Sequence, residues 1–540
     1  MSRKILAPLA LGIVALLFTG CAGGQESGAT SPTPGEASSG YLSVADEASD
    51  AEGPVTIQLG FDAAEASGYD PQSAVNGQSW ALFGLVYETL VTIGPEFDVQ
   101  PGLASSWEQP DDTTYIFTID ASATFSNGRA VSVDDVVGSL ERLLSGTSIW
   151  ASQLTRVESV TALDDTRVEI ALSEPYTPLL ATLANNPASI LPMAEIESGE
   201  IDVTTEMLGT GPFVLDGHRQ DESWSFVRNE SYRNVEDVKI TELDIRIAGS
   251  DATRQAALRD GSIAMTTFSG VDALSLLANS GASMYAQQQT DFFYLGINSL
   301  KADSPLSDQN LRFAINAAVD REVLSDSLFS GEAAATGVTP ANLPGACDAS
   351  ALPSAQIGDD EIQELVDSSD YDGETLELLI YNSEPVLAQI AQVIQQQLAS
   401  FGVDVEIVTL DIGAYLERSS SAPADFDLAL GYLAGYADAA MVTRFWHSES
   451  GASATFAEQH DDLDALIDQA ATEPAGPVRD EVMTDLCTTV DDYSEWVTLV
   501  LRPVVYGINE SVITMDLAAN EGYGDILRHL PTASVMGTAE

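Results

Sequence analysis

Lysine is almost absent from this chain, occurring only at Lys4, Lys239 and Lys301. Lysine and arginine together number 21 against 83 acidic residues, which gives a formal net charge of −62. A surface this acidic repels phosphate backbones and anionic headgroups, so we expect no nucleic-acid partner. The bulk charge is compatible with a salt-rich habitat or a lysine-poor genome, and it does not by itself indicate a binding site.

Histidine is nearly as scarce, with four residues scattered at His218, His447, His460 and His529. The chain contains no H-E-x-x-H pair, no G-x-S-x-G and no phosphate-binding G-x-x-x-x-G-K-[ST]. We therefore expect each histidine to be a surface or structural residue, and we predict no catalytic residue, no metal site and no cofactor. This pattern favours a binding protein over an enzyme.

Long apolar runs are missing after the first twenty residues. Residues 5–18 form a short apolar stretch behind Arg3 and Lys4, which is typical of a secretory signal rather than a membrane span. The letters FTGC at residues 18–21 resemble a bacterial lipobox, in which the peptide is cut before the cysteine and that cysteine carries lipid. The alternative is an ordinary signal peptide cut elsewhere.

The segment after this signal is rich in Gly, Ser, Ala, Thr, Pro and Glu and has no apolar periodicity. Such a composition cannot bury enough surface to offset the entropy of ordering the chain. We interpret residues 1–20 as a signal peptide and 21–53 as a flexible linker that starts at the lipid-bearing Cys21. The protein is then expected outside the cytoplasm, anchored to the bacterial cell membrane by lipid.

Cysteine is the third scarce residue type, with three in the chain. Once Cys21 is assigned to lipid, Cys347 and Cys487 remain as a pair. We predict a disulfide between them in an oxidising compartment, and two buried free thiols are the alternative.

Strand-like and helix-like periodicity alternate along the rest of the chain. Val55–Leu59 alternates like a strand, whereas residues 77–90 and 384–401 have helical spacing. Ser132 followed by Asp135 resembles a capping box with Asp in place of Glu. The sequence therefore predicts a mixed α/β or α+β class.

Five separated blocks resemble the extracytoplasmic solute-binding proteins of ABC importers, family 5, which carry peptides, nickel and some oligosaccharides. The blocks are VYETLV, PGLASSWE and FSNGRAVSVDDVV (86–137), GTGPFVL (209–215), YLGIN and PLSDQNLRFAINAAVDRE (294–322), FGVDVEIV (401–408) and DFDLALGYLAGYADAA (425–440). Their common order makes a chance resemblance very improbable.

The resemblance implies a two-lobed, type II periplasmic-binding-protein-like fold with a ligand cleft between the lobes. The expected segments are lobe I at 54–90, 205–290 and 500–540, an extra subdomain at 91–204 and lobe II at 291–499. Such a protein is expected to be a monomer that closes on a solute by hinge motion and docks on a membrane permease.

The resemblance also implies ligand contacts. An aspartate in the last block holds the amino group of the peptide in peptide-binding members, and Asp438 matches that position. The nearby aromatic residues are interpreted either as pocket walls or as plain core. The candidate ligand-binding residues are Asp438, Tyr436, Tyr432, Trp446, Tyr381 and Asn298.

One departure from the family pattern bears on the ligand. Some dipeptide-binding members carry an arginine for the carboxylate of the peptide after the strand equivalent to residues 375–380, but here residues 381–387 read YNSEPVL. We therefore predict an oligopeptide receptor rather than one for a fixed dipeptide length. The alternatives are an oligosaccharide or glycoside receptor of the same transporter class and, less favoured, an extracellular hydrolase.

Overall fold

The computed structural model describes residues 40–45, 49–60, 62–64, 68–74, 77–146, 148–268, 270–433, 437–521 and 525–536. Strands and helices alternate through these ranges, which confirms the mixed α/β class. The strands are β1 (Tyr41–Ser43), β2 (Gly53–Leu59), β3 (Val91–Ile93), β4 (Val99–Pro101), β5 (Ala104–Asp111), β6 (Thr114–Ile119), β7 (Val157–Ala162), β8 (Arg167–Leu172), β9 (Phe213–Arg219), β10 (Ser223–Arg228), β11 (Ile240–Ile247), β12 (Met265–Phe268), β13 (Ser283–Gln289), β14 (Phe292–Ile297), β15 (Leu376–Tyr381), β16 (Val405–Leu410), β17 (Leu428–Leu433), β18 (Trp496–Leu501), β19 (Val504–Ile508), β20 (Ile513–Thr514), β21 (Leu517–Ala518), β22 (Asn520–Glu521) and β23 (Ser534–Val535).

Several helices pack against the sheets formed by these strands. The helices are α1 (Gly77–Phe83), α2 (Val133–Ser145), α3 (Leu179–Leu183), α4 (Met193–Ser198), α5 (Asp251–Asp260), α6 (Asp272–Leu277), α7 (Gln309–Ala318), α8 (Arg321–Phe329), α9 (Asp359–Ser368), α10 (Val386–Ala399), α11 (Ile412–Ser420), α12 (Ala439–Thr443), α13 (Asp461–Thr472) and α14 (Pro477–Tyr493).

Three larger sheets organise the described residues. An eight-stranded sheet has the order β22-β13-β19-β12-β2-β11-β10-β9, and a five-stranded sheet has the order β16-β15-β17-β14-β18. A four-stranded sheet, β5-β6-β8-β7, is built from one continuous stretch of chain. We call the bodies around these sheets lobe I, lobe II and the subdomain, respectively.

The chain passes between lobe I and lobe II at two adjacent places. Strand β13 leads through Thr290 and Asp291 into β14, and β18 leads through Arg502 and Pro503 into β19. The two crossings touch, since the Arg502 amide donates to the Asp291 carbonyl over 2.8 Å. Two side-by-side connections of this kind form a natural hinge.

The strands of the three sheets fall within the segments predicted from the sequence, apart from β2, which begins at Gly53 rather than 54, and β18, which runs to Leu501 rather than stopping at 499. Outside these sheets, β1 lies in the stretch predicted as a linker and pairs with β21. The crossings explain why lobe I is discontinuous: lobe II is inserted between β13 and β19. The exact domain boundaries stay a prediction.

Local sequence signals explain where several elements begin and end. The capping box is confirmed at the start of α2: the Asp135 amide donates to the Ser132 hydroxyl over 3.2 Å, and the Ser132 amide donates to the Asp135 carboxylate over 2.9 Å. The helix expected over 77–90 stops at Phe83. It stops because the carbonyls of Leu85 and Val86 accept hydrogen bonds from the 211–213 segment instead.

That pairing also explains the glycine-rich block at 209–215. A Cβ atom placed on Gly209 would lie 2.0 Å from the carbonyl oxygen of Val86, far inside van der Waals contact. Only a residue without a side chain allows the two backbones to approach so closely. The block therefore has a packing role against the backbone of residues 85–86.

Cys347 and Cys487 form a disulfide whose Cα atoms lie 5.9 Å apart. Cys487 is on α14, and Cys347 lies in the loop region between α8 and α9. The bond fastens this loop to the longest described helix of lobe II.

Candidate functional site

The strand directions place a groove between the two lobes. In lobe II, the carboxyl ends of β15, β16 and β17 face the crossings, because β17 is antiparallel to β14 and parallel to β15. In lobe I, the carboxyl ends of β2, β11 and β12 face the same way. Ligands of open α/β sheets bind outside the carboxyl ends of strands, so this groove is the candidate site.

Arg502 lies on the floor of this groove, at the second crossing. Its Nη2 atom is 3.1 Å from Glu384 Oε2, and its Nη1 atom is 3.8 Å from Asp291 Oδ2. The guanidinium carbon lies 4.7 Å from the centre of the Tyr432 ring, a cation–π contact. Residues 381–387 contain no arginine or lysine, but Arg502 places its guanidinium beside Glu384 of that segment. The side chain of Arg502 is 22% exposed.

Tyr432 and Tyr381, both predicted from the sequence, lie at the carboxyl ends of two neighbouring strands, β17 and β15. Tyr432 is half-buried, whereas Tyr381 is buried with its ring 4.9 Å from that of Tyr415. Burial raises the pKa of both phenols, so both are neutral hydrogen-bonding groups at physiological pH. The structure thus brings Tyr432, Tyr381, Glu384 and Arg502 together.

Asp438 follows the same edge but already has partners. Its carboxylate caps α12 by accepting from the Ala440 amide over 2.7 Å, and it forms an ion pair with Arg479 at 2.5 Å. An internal guanidinium therefore balances the charge that the family pattern assigns to a peptide ammonium. The Asp438 carboxylate is therefore already paired within the protein.

Asn298 lies at the wrong end of lobe II to join these residues. It follows Ile297, which pairs with Leu428, whereas Tyr432 pairs with Phe293 at the crossing end of β14. Its amide nitrogen donates to the carbonyls of Ala424 and Phe426 over 3.2 and 3.0 Å. Asn298 is buried and holds two loops together at the end of lobe II remote from the crossings, and its contact with ligand stays a prediction.

Trp446 belongs to the core of lobe II. It is 3% exposed, and its ring lies 4.6 Å from that of Trp496 and 6.1 Å from that of Phe292. Of the two interpretations of the aromatic residues, the core one describes Trp446. The remaining predicted residues, Tyr436 and the lipidation candidate Cys21, lie outside the described residues.

The lobe I edge of the groove carries a polar network that the sequence did not reveal. The Asp62 carboxylate accepts from the Trp224 indole over 2.8 Å and contacts His218 Nε2 at 3.0 Å. His218 in turn stacks on Trp224 and meets the Tyr69 hydroxyl at 3.2 Å. Burial alone would raise the pKa of Asp62, but hydrogen bonds from the Asp221 amide, His218 and Trp224 outweigh burial and lower it. His218 was expected to be a structural or surface residue, and it is a structural one.

The subdomain also touches lobe II directly. The Thr177 amide donates to the Ala471 carbonyl over 2.9 Å. Asp468 on α13 pairs with Arg156 of the subdomain at 3.0 Å and with Arg444 of lobe II at 3.1 Å. A polar cavity of about 200 Å³ lies between these side chains. These contacts join the subdomain to lobe II.

One group among the described residues has donor atoms close enough to share a cation. A ligand atom from each of Glu458, His460 and Glu495 lies within 4.8 Å of the others. The buried Glu495 is already occupied, because it accepts from the Glu458 amide over 2.8 Å and meets His460 Nε2 at 3.1 Å. Glu495 precedes β18 at the end remote from the crossing, so this group is not part of the groove.

No helix within the described ranges has both the length and the apolar character needed to cross a bilayer.

The sequence profile of the bacterial extracellular solute-binding proteins, family 5 (middle region), matches residues 98–454. The probable D,D-dipeptide-binding periplasmic protein DdpA of Escherichia coli K12 is 28% identical over 400 residues, covering 71% of this chain and 76% of that protein. The dipeptide-binding protein DppE of Bacillus subtilis is 23% identical over 455 residues, covering 78% of this chain and 82% of that protein.

The fold agrees with the sequence match. The crystal structure of the ABC transporter substrate-binding protein CtaP of Listeria monocytogenes superimposes with a TM-score of 0.79, at 20% identity, covering 91% of this chain and all of that one. The predicted two-lobed architecture is thereby confirmed. The chain belongs to the bacterial extracellular solute-binding proteins of family 5.

Proposed function

We propose that this protein captures peptides, and more specifically oligopeptides, outside the membrane and delivers them to the permease of an ABC importer. The observation that carries the proposal is the groove floor, where a guanidinium and a carboxylate lie 3.1 Å apart beside two tyrosines. A peptide has charged ends and polar amides, so a floor with both signs of charge suits it better than it suits a neutral sugar. The relatives named above, whose names refer to dipeptides, support the same ligand class.

The proposal includes attachment to the membrane through lipid on Cys21 and action as a monomer without chemical turnover. Cell fractionation of the wild type and Cys21→Ser tests the anchor. Recovery of both proteins in the same membrane fraction would contradict it.

Thermal unfolding in the presence of a ligand panel tests the function. Any solute that binds the folded state alone raises the melting temperature by mass action. We expect a panel of unmodified tetrapeptides to raise it, and neutral oligosaccharides to leave it unchanged. A response to oligosaccharides alone would select the sugar-receptor alternative, and cleavage of a labelled tetrapeptide that persists through purification would select the hydrolase.

A further inference from the structure

The subdomain is attached to lobe I by side-chain contacts as well as by the chain. The Thr124 hydroxyl, between β6 and α2, donates to the Ser231 carbonyl, between β10 and β11, over 2.6 Å. The Arg142 guanidinium on α2 lies 2.5 Å from the carboxylate of Asp70, which follows β2. The chain leaves the lobe I sheet after β2 and returns to it at β9, with the subdomain between them. Lobe I and the subdomain therefore form one body.

Lobe II is joined to this body by the two crossings and, at another place, by contacts with the subdomain. Arg156, which precedes β7 of the subdomain, places Nη2 3.0 Å from Asp468 Oδ1 on α13 of lobe II. The Thr177 amide, after β8, donates to the Ala471 carbonyl of the same helix over 2.9 Å. Rotation of lobe II about the crossings changes the distance between the subdomain and α13. These contacts therefore exist only while lobe II lies against the subdomain, an arrangement that we call the closed form.

Arg156 is held in place from its own side of this interface. Its Nε atom lies 2.6 Å from Glu174 Oε1, and its guanidinium carbon lies 5.4 Å from the centre of the Tyr176 ring. The side chain is 11% exposed, so salt screens its charge less than that of an ordinary surface arginine. A side chain that is already fixed in the subdomain loses little further conformational entropy when it meets Asp468.

Asp468 is held in the same way on the lobe II side. Arg444 places Nη1 3.1 Å from the Oδ1 atom that Arg156 also contacts. Arg444 directly follows α12, the helix that Asp438 caps at the candidate site. Burial raises the pKa of the Tyr176 phenol, and the charges of Arg156, Asp438 and Arg444 also act on it. The ion pair thus joins the subdomain to the part of lobe II that carries Asp438.

We propose that Arg156 is a positioning residue for ligand capture, whose ion pair with Asp468 favours the closed form. A ligand that is enclosed between the lobes needs this form, so the pair raises affinity without touching the ligand. The inference rests on the proposed function for its ligand, but the closed form itself is measurable without one.

Calorimetry with the tetrapeptide that gives the largest thermal shift tests the effect on affinity. Asp468 is 51% exposed, and an ion pair of this exposure contributes about twofold to fivefold. We expect Arg156→Gln to weaken binding by this factor in about 0.1 M sodium chloride. The difference from the wild type should shrink in about 1 M, where the charges are screened. Arg156→Lys, which keeps the charge, is expected to recover part of the affinity.

The matched control is Arg444→Gln. Both arginines contact the same oxygen of Asp468, but only Arg156 reaches it from the subdomain. We expect Arg444→Gln to bind the tetrapeptide as the wild type does. Equal losses of affinity in the two variants would overturn the inference, because the effect would then come from the local structure of α13.

Small-angle X-ray scattering of the unliganded protein provides a readout that needs no ligand. We expect a larger radius of gyration in Arg156→Gln than in the wild type and no change in Arg444→Gln. The inference is overturned if Arg156→Gln retains both the affinity and the radius of gyration of the wild type. If no tetrapeptide binds the wild type, the proposed function is contradicted and the radii alone decide: a larger radius in Arg156→Gln supports the inference, and equal radii overturn it.

Discussion

Arg129 shows how much one side chain contributes when two buried carboxylates share it. Its Nε atom lies 2.7 Å from Glu195 and its Nη1 atom 2.7 Å from Asp135, so it joins α2 and α4 through the loop between β6 and α2. The hydrogen bond from Arg129 lowers the pKa of Glu195. Burial would raise the pKa of Asp135, but hydrogen bonds from Arg129 and Ser132 outweigh burial and lower it.

This arrangement predicts a pH-dependent loss of stability in Glu195→Gln. At pH 7 the free energy of unfolding should fall by about 1–3 kcal/mol, since an ionised partner of Arg129 is replaced by a neutral one. A carboxyl whose folded-state pKa lies below its unfolded value of about 4.3 stabilises the protein above that pH, and the contribution is lost as the pH falls through the folded-state value. Urea unfolding at pH 7, 5 and 3.5 should therefore show a wild-type advantage that shrinks in acid. The control is Glu197→Gln, an exposed neighbour on α4; an advantage that stays constant with pH would rule out this explanation.

Apart from the disulfide of Cys347 and Cys487, contacts of single residues were predictable only where the partners are near in sequence. The capping box of Ser132 and Asp135 spans three residues, and its pattern was visible in the sequence. The pairing of Asp438 with Arg479 and of Arg502 with Glu384 joins residues 41 and 118 positions apart, and no local pattern encodes it. A chain with 83 acidic residues offers too many carboxylates for a sequence to show which ones are balanced.

Elements were more predictable than residue contacts, because hydrophobic periodicity depends only on near neighbours. The predicted strand at Val55–Leu59 and the predicted helix over 384–401 correspond to β2 and α10, with ends that differ by a few residues. The helix predicted over 77–90 ends at Phe83, because amides of the glycine-rich block, which is distant in sequence, donate hydrogen bonds to the carbonyls of Leu85 and Val86. The order of strands in each sheet is equally non-local, and periodicity gives no information about it.

At the scale of elements, the disulfide predicts a measurable contribution to lobe II. It closes a loop with a sequence separation of 140 between the segment before α9 and helix α14. Restricting a long loop in the unfolded chain stabilises the folded state, and removal of a native disulfide costs about 2–5 kcal/mol. We expect the double variant Cys347→Ser, Cys487→Ser to have a free energy of unfolding lower than that of the wild type by this amount, measured by urea unfolding. Wild type treated with a reductant should match the variant, whereas insensitivity to reductant would show that the bond does not contribute.

At the scale of the whole molecule, the cleft forms only where the two assembled lobes meet. The cleft exists because β13 and β19 are neighbours in one sheet while β14 and β18 are neighbours in the other. The resemblance to the family implied two lobes, but the charge distribution on the cleft floor became evident only from the positions of Arg502 and Glu384. The family-level architecture was therefore predictable, whereas the pairing of Arg502 with Glu384 was not.

The excess of acidic residues over the whole chain predicts how the stability of the protein responds to salt. With a formal net charge of −62, repulsive carboxylate pairs far outnumber attractive ones, and repulsion at low ionic strength destabilises the compact state. Raising the ionic strength from about 0.1 M to 1 M shortens the Debye length from about 10 Å to about 3 Å, which screens exposed charges and leaves buried pairs almost unaffected. We therefore expect sodium chloride to raise the melting temperature steadily over this range, measured by calorimetry at pH 7, while sucrose of equal osmolality raises it less. A melting temperature that falls with sodium chloride would mean that surface-accessible ion pairs, such as Arg156 with Asp468, contribute more to stability than the repulsion removes.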